Sequence, residues 1–176
     1  MKIEMNRAWA MPNKDTFGIK PIKELITKWI DSPLLSVADP FCNGKRFCGN
    51  VITNDLDESL DADYHMDALD FLRELPDESV NVMLFDPPYS PRQVSECYKS
   101  LGRTVNMQTT QSSYWANMKK EISRVVTPSG VCITFGWNSG GIGKSLGFEI
   151  EEILIVAHGG WHNDTICTVD RKVFVN

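Results

Sequence analysis

Apolar positions at Ile19, Ile22, Leu25, Ile26, Trp29 and Ile30 recur at helical spacing. Pro21 suits a first turn and Ser32-Pro33 ends the run, so the pattern predicts a helix over residues 19–30. Four short apolar runs then each close on an acid: residues 35–38 before Asp39, 51–54 before Asp55, 64–66 before Asp67, and 80–85 before Asp86. The run before Asp86 is mostly apolar and reads as a strand buried on both faces, the parallel-sheet type, and the other three read as short strands. Ala68, Leu69, Phe71, Leu72 and Leu75 predict a helix after the third acid, and residues 92–100 another after the fourth. A further helix carries Trp115, Met118, Ile122, Val125 and Val126 on one face, with a polar loop over 101–113 before it. Pro128-Ser129-Gly130 predicts a turn into a strand over 131–137, and a glycine-rich segment over 139–147 leads to a strand over 150–157. A hairpin-length turn over 159–163 then makes the last strand, 165–175, antiparallel to its predecessor. Six parallel strands, one antiparallel strand and covering helices make a Rossmann-like α/β sheet, whose ligands bind outside the carboxyl ends of the strands.

On that architecture Asp39, Asp55, Asp67 and Asp86 fall along one sheet edge. A single acid after a strand is often a helix cap. Four in succession form a row of acceptors, suited to a ligand that offers an ammonium group, ribose hydroxyls and an adenine amino group as donors. S-adenosylmethionine fits that description. The fourth acid opens Asp86-Pro87-Pro88-Tyr89, in which the prolines fix the backbone and supply no N–H, leaving carbonyls free to accept.

Charge modifies this picture little. The net charge of -5 conceals a strongly acidic middle: residues 51–90 carry 11 acidic groups and 1 basic, between arms carrying 8 basic against 5 acidic and 9 against 7. The arms suit a polyanion without requiring one. A chain of 176 residues with 42% hydrophobic content makes one domain with a sizeable core, so residues 1–176 are expected to be a single unit with no separate target-recognition domain. No apolar run is long enough to span a bilayer, and a cytoplasmic location is expected. The five cysteines are irregularly spaced and read as reduced thiols. Cys42, Cys48, His158 and His162 lack the spacing of a zinc site, and no metal is expected.

The Asp86-Pro87-Pro88-Tyr89 motif after an apolar strand resembles that of amino-group DNA methyltransferases, and the chain is similar to small phage-associated adenine-specific DNA methylases of the kind found in phage and restriction-modification systems. Asp39-Pro40-Phe41 resembles the start of the cofactor-loop motif D-P-F-x-G-x-G, and Trp9-Ala10 with Phe17 and Pro21 resembles the segment before it. The resemblance implies that Asp39 faces the methionine ammonium, Phe41 and Gly44 line the loop over S-adenosylmethionine with Pro40 between strand and loop, Asp55 binds the ribose hydroxyls, and Asp67 with Ala68 contacts the adenine ring. Trp9 and Phe17 belong to the same cofactor set. It further implies that Asp86 and the Pro87 carbonyl, held rigid by Pro88, accept hydrogen bonds from the target amine, and that Tyr89 stacks on the target base. Arg92 and Arg103 are candidates for contact with DNA, as are Trp161 and His162 in the 159–163 turn.

The first loop departs from the pattern, with one glycine where the motif has two, and the first two crossovers are short. Thin cover over part of one sheet face suggests a homodimer, and the lack of a recognition domain suggests low or short-site sequence selectivity. Cytosine amine, adenine in RNA and a protein glutamine amide remain alternative acceptors for the same motif. A binding module with the cofactor fold but no catalysis is the alternative from another class.

Overall fold

The computed structural model describes residues 2–102 and 112–173. Its elements are β1 (Glu4–Trp9), α1 (Lys20–Trp29), β2 (Val37–Asp39), β3 (Val51–Thr53), α2 (Ala68–Glu74), β4 (Val80–Phe85), α3 (Pro91–Ser100), α4 (Ser112–Val125), β5 (Val126–Gly136), β6 (Phe148–Ala157) and β7 (Thr165–Lys172). The strands form one seven-stranded sheet in the order β1-β6-β7-β5-β4-β2-β3. β7 runs antiparallel to both β5 and β6, and every other pairing is parallel. The α/β sheet with six parallel strands and one antiparallel is the architecture expected above.

Its membership differs in two strands. β1 completes the sheet by pairing in parallel with β6, from Glu4 opposite Glu152 to Trp9 opposite Ala157. Nearly all its side chains are exposed, so the stretch shows no apolar alternation by which periodicity finds a strand. The expected strand at 64–66 is instead a single parallel bridge between Asn54 and Tyr64. A side chain finishes that edge in its place: the Asp63 carboxylate accepts the Thr53 N–H at 2.9 Å and the Thr53 hydroxyl at 3.0 Å. Arg46 grips the same carboxylate through both guanidinium nitrogens, at 2.8 and 3.0 Å, and these bonds hold its pKa down at about 2. The Pro128-Ser129-Gly130 turn is also absorbed, as an irregularity within β5 where the register against β4 shifts.

Helices bury both faces. On one, Ile22, Leu25 and Ile26 of α1 pack on Val37, Val82, Leu84 and Ile133. On the other, Phe71 and Leu72 of α2 and Met118 and Ile122 of α4 pack on Met83, Val80 and Cys132. No helix among the described residues is long and apolar enough to cross a membrane.

Candidate active site

The carboxyl ends of β2, β3 and β4 open into a cavity of about 480 Å³, inside the range of about 300–1,000 Å³ usual for small-molecule sites. Pro40, Phe41, Asp55, Asp67, Ala68 and the whole of Asp86-Pro87-Pro88-Tyr89 line it. Segments far apart in the chain meet here because the parallel strands β2, β3 and β4 are adjacent and end at one edge. Asp39 lies just behind the wall, 1% exposed, accepting the Phe41 N–H at 3.0 Å. Burial, with a smaller contribution from the charges of Asp86 and Asp55, pushes its pKa up to about 8.

Side chains tie the loop after β2 to the end of β3. Asp55 accepts the Asn43 N–H at 2.8 Å with one oxygen and the Asp57 N–H at 2.9 Å with the other. Asn43 stands where the motif's first glycine would be and adopts φ 49°, a left-handed conformation that asparagine tolerates better than most residues. Gly44 follows at φ 68°, with Leu60 3.3 Å from where a Cβ would sit. The departure from the glycine pattern thus leaves the turn intact.

Asp67 has a second task. Its carboxylate caps α2 by accepting the Leu69 N–H at 2.9 Å, and it accepts the Tyr114 hydroxyl at 3.0 Å and the Tyr98 hydroxyl. Burial, reinforced by this carboxylate, pushes both tyrosine pKa values well above the ordinary range. Asp67 is therefore cavity floor and tie between α2, α3 and α4, with few acceptor sites left for a ligand.

At the end of β4 the Tyr89 hydroxyl donates to Asp86 at 2.5 Å, and Thr16 lines the cavity beside this pair. Burial pushes the Asp86 carboxyl up, and the Tyr89 hydroxyl, with the neighbouring Thr16 hydroxyl, pulls it back. The Tyr89 N–H donates to Gln93 Oε1 at 2.7 Å, and the Trp115 indole N–H donates to the Pro88 carbonyl at 3.2 Å. The Pro87 carbonyl receives no hydrogen bond from a described residue. The motif is thus braced on three sides with one carbonyl left free.

Tyr89 also lines two further cavities. One, of about 320 Å³, is bounded by Thr16, Gln93, Trp137, Trp161, His162 and Asn163. The other, of about 430 Å³, lies against Trp115, Lys119 and Trp137. The Tyr89 and Trp137 rings meet edge to face, with centroids 5.4 Å apart.

The remaining candidates are scattered. Trp9 is 66% exposed at the end of β1, close to Gly159. Phe17 packs on Phe135 and Phe47 in the α1-side core, outside the main cavity. Arg92 is exposed on α3 and paired with Glu96 at 2.8 Å. Arg103 lies outside the described residues, as does most of the expected 101–113 loop. His158 is structural, bonded at 2.8 Å to both the Ala10 carbonyl and the Thr165 hydroxyl. No group of three or more His, Cys, Asp or Glu among the described residues is placed to hold a metal. Thr16, Gln93, Tyr98, Tyr114, Trp115 and Trp137 were not singled out by the sequence. Trp115 looked like helix core and Trp137 like a strand end, and only adjacency in the fold shows what they touch.

No family model matches the chain, and no curated protein is similar to it in sequence. Solved structures do share its fold. It is similar to TrmN from Thermus thermophilus, with a TM-score of 0.57, 16% identity, and coverage of 88% of this chain but only 49% of TrmN. It also resembles the 1,6-didemethyltoxoflavin-N1-methyltransferase of Burkholderia thailandensis, solved with its substrate and S-adenosylhomocysteine, at a TM-score of 0.60 and 11% identity over 88% of this chain and 78% of that one. The [4+2]-cyclase SpnF matches equally well, at 0.58 and 13% identity over 94% and 86%. The fold is thus the Rossmann-like sheet of these proteins, while a cyclase among them shows that fold alone does not assign the reaction.

Proposed function

We propose that this chain, as a single domain, is an S-adenosylmethionine-dependent methyltransferase acting on the exocyclic 6-amino group of adenine in DNA. The observation that carries this reading is the position of Asp86-Pro87-Pro88-Tyr89, braced at the end of β4 where the main cavity meets the one lined by Trp137 and Trp161.

The main cavity fits the cofactor chemically. Burial, with the charges of Asp86 and Asp55, raises the proton affinity of Asp39 beside a space with no compensating cation among its lining residues, so a positively charged ligand is favoured there. Asp39 would face the ammonium group, Asp55 the ribose hydroxyls, and Phe41 and Ala68 the adenine ring. When bound, the cofactor supplies an electrophilic methyl group.

The protein's part is to hold the acceptor amine. The Asp86 carboxylate and the Pro87 carbonyl accept its two N–H bonds, drawing the nitrogen lone pair out of conjugation with the ring. Tyr89 fixes the carboxylate, and Trp115 fixes the neighbouring carbonyl, so both acceptors are aimed before the substrate arrives. Tyr89 offers the base a ring to stack on, in a pocket that only an extruded base can reach.

The test is incubation of the purified protein with methyl-labelled cofactor and, in parallel, DNA, RNA and protein, followed by digestion and identification of the product. N6-methyladenine in DNA is expected, and label confined to RNA, to cytosine or to glutamine would replace this reading. Asp86→Ala should leave cofactor binding nearly unchanged while slowing transfer at least about a hundredfold, since its bonds strengthen as charge develops on nitrogen. Asp55→Ala should instead weaken cofactor binding by about 1.5–3 kcal/mol.

A further inference from the structure

The cavity beside Trp115 and Lys119 has no part in the reading above. Its walls are Pro87, Pro88, Pro91, Trp115 and Trp137, with Lys119 at the side. Rigid rings and indoles make flat apolar surfaces, and polar groups border them. The Asn138 side-chain oxygen is taken by the Gly140 N–H at 2.9 Å, while its amide nitrogen donates to no described residue. The Lys119 ammonium donates to the Gly141 carbonyl and retains further N–H groups.

A buried acid lies beneath the loop whose Gly141 carbonyl holds Lys119. Asp170 on β7 is fully buried, and neither carboxylate oxygen makes a well-formed hydrogen bond among the described residues. Burial pushes its pKa up to about 7, against the pull of the Ile142 N–H and the Lys119 ammonium. The glycine loop is drawn down onto it so closely that a Cβ at Gly141, where φ is +53°, would sit 2.3 Å from an Asp170 oxygen. Loop, lysine and acid form one assembly that holds a cation beside two indoles.

We propose that this cavity binds the base next to the target adenine on the same DNA strand, a deepening of the methyltransferase reading on which it rests. Tyr89 and Trp137 line both this cavity and the one bounded by Trp161 and His162. A strand crossing the rim of that shared aromatic wall places successive bases in successive cavities, each with a ring to stack on. Lys119 and the Asn138 amide then donate to acceptors on the edge of the second base. Bases that present an acceptor there are preferred, which gives the enzyme a sequence context without a recognition domain.

The test uses the full chain and a short single-stranded oligodeoxynucleotide with one adenine, compared with versions carrying an abasic site on its 5′ or its 3′ side. Binding is followed by fluorescence anisotropy. One of the two abasic versions should bind about tenfold more weakly, the size of effect expected for a lost stacked base. Lys119→Met should weaken binding to the intact strand several-fold and cause no further loss on that abasic strand. Indifference to both abasic positions, or losses that simply add, overturns the assignment. The wild-type comparison stands even where the variant fails to fold. Methyl transfer is measured on the same strands: no transfer with the flank effect intact overturns the adenine-methylation reading alone, and no binding to any of the strands overturns both.

Discussion

Asp39 and Asp86 are both pushed up by burial, yet they call for different partners. Asp39 has a pKa of about 8 and one backbone donor, so in the free protein it holds its proton near neutrality. A cationic ligand favours the ionised form. Affinity for S-adenosylmethionine should therefore rise as pH approaches about 8, with a proton released on binding below that value. Calorimetry in buffers of different ionisation enthalpy reads that proton directly. The same raised pKa means that the native state binds more protons than the unfolded chain, so the free protein should lose stability as pH rises from 3.8 through about 8. Asp86 instead depends on neutral donors. Tyr89→Phe keeps the ring but removes a hydroxyl that holds the carboxyl down, so the acid limb of the activity–pH profile should move to higher pH while cofactor affinity stays constant. An unmoved limb would mean that another group controls it. Stacking alone would have made the hydroxyl dispensable, and its bond to Asp86 changes that expectation.

Between elements, Asp67 does the work of several contacts, capping α2 while receiving hydroxyls from Tyr98 on α3 and Tyr114 on α4. Asp67→Ala should cost about 1–3 kcal/mol in denaturant unfolding, from the lost cap and the tyrosine hydroxyls left without an acceptor. Asp67→Asn keeps an acceptor oxygen and should cost less. The cap was legible in the sequence, because an acid directly before the apolar-periodic run of α2 is a start signal. The tyrosines were not, since they lie 31 and 47 residues further along. β1 was missed for a related reason. An edge strand exposed on both faces carries no pattern, and its place depends on the N–H and C=O groups that β6 offers it.

Across the molecule, the acidic middle of the chain is gathered at one opening: Asp55, Asp57, Asp67 and Asp86 all line the main cavity. That potential suits a cationic cofactor and repels phosphate, so a DNA strand should cross the opposite side of Tyr89, over Trp137 and the turn between β6 and β7. These surfaces reach few bases. Genome-wide mapping of modified adenines should show a short motif or broad modification, and a strict site of about six base pairs or more would contradict this.

Short-range information was enough for α1, α2, β4 and the antiparallel last strand, because apolar spacing, caps and turn residues act within a few positions of one another. It was also enough to place Asp39, Asp55 and Asp86 at strand ends, since each closes a mostly apolar run, while Asp67 follows a single bridge and caps α2. Folding decided which of these groups are free to act. Asp67 is largely committed to Tyr98 and Tyr114, Asp86 is held by Tyr89, and Trp137 makes a wall with Tyr89. Those outcomes depend on which strands lie side by side, and strand adjacency is set by pairing and burial between distant segments, which no local pattern records.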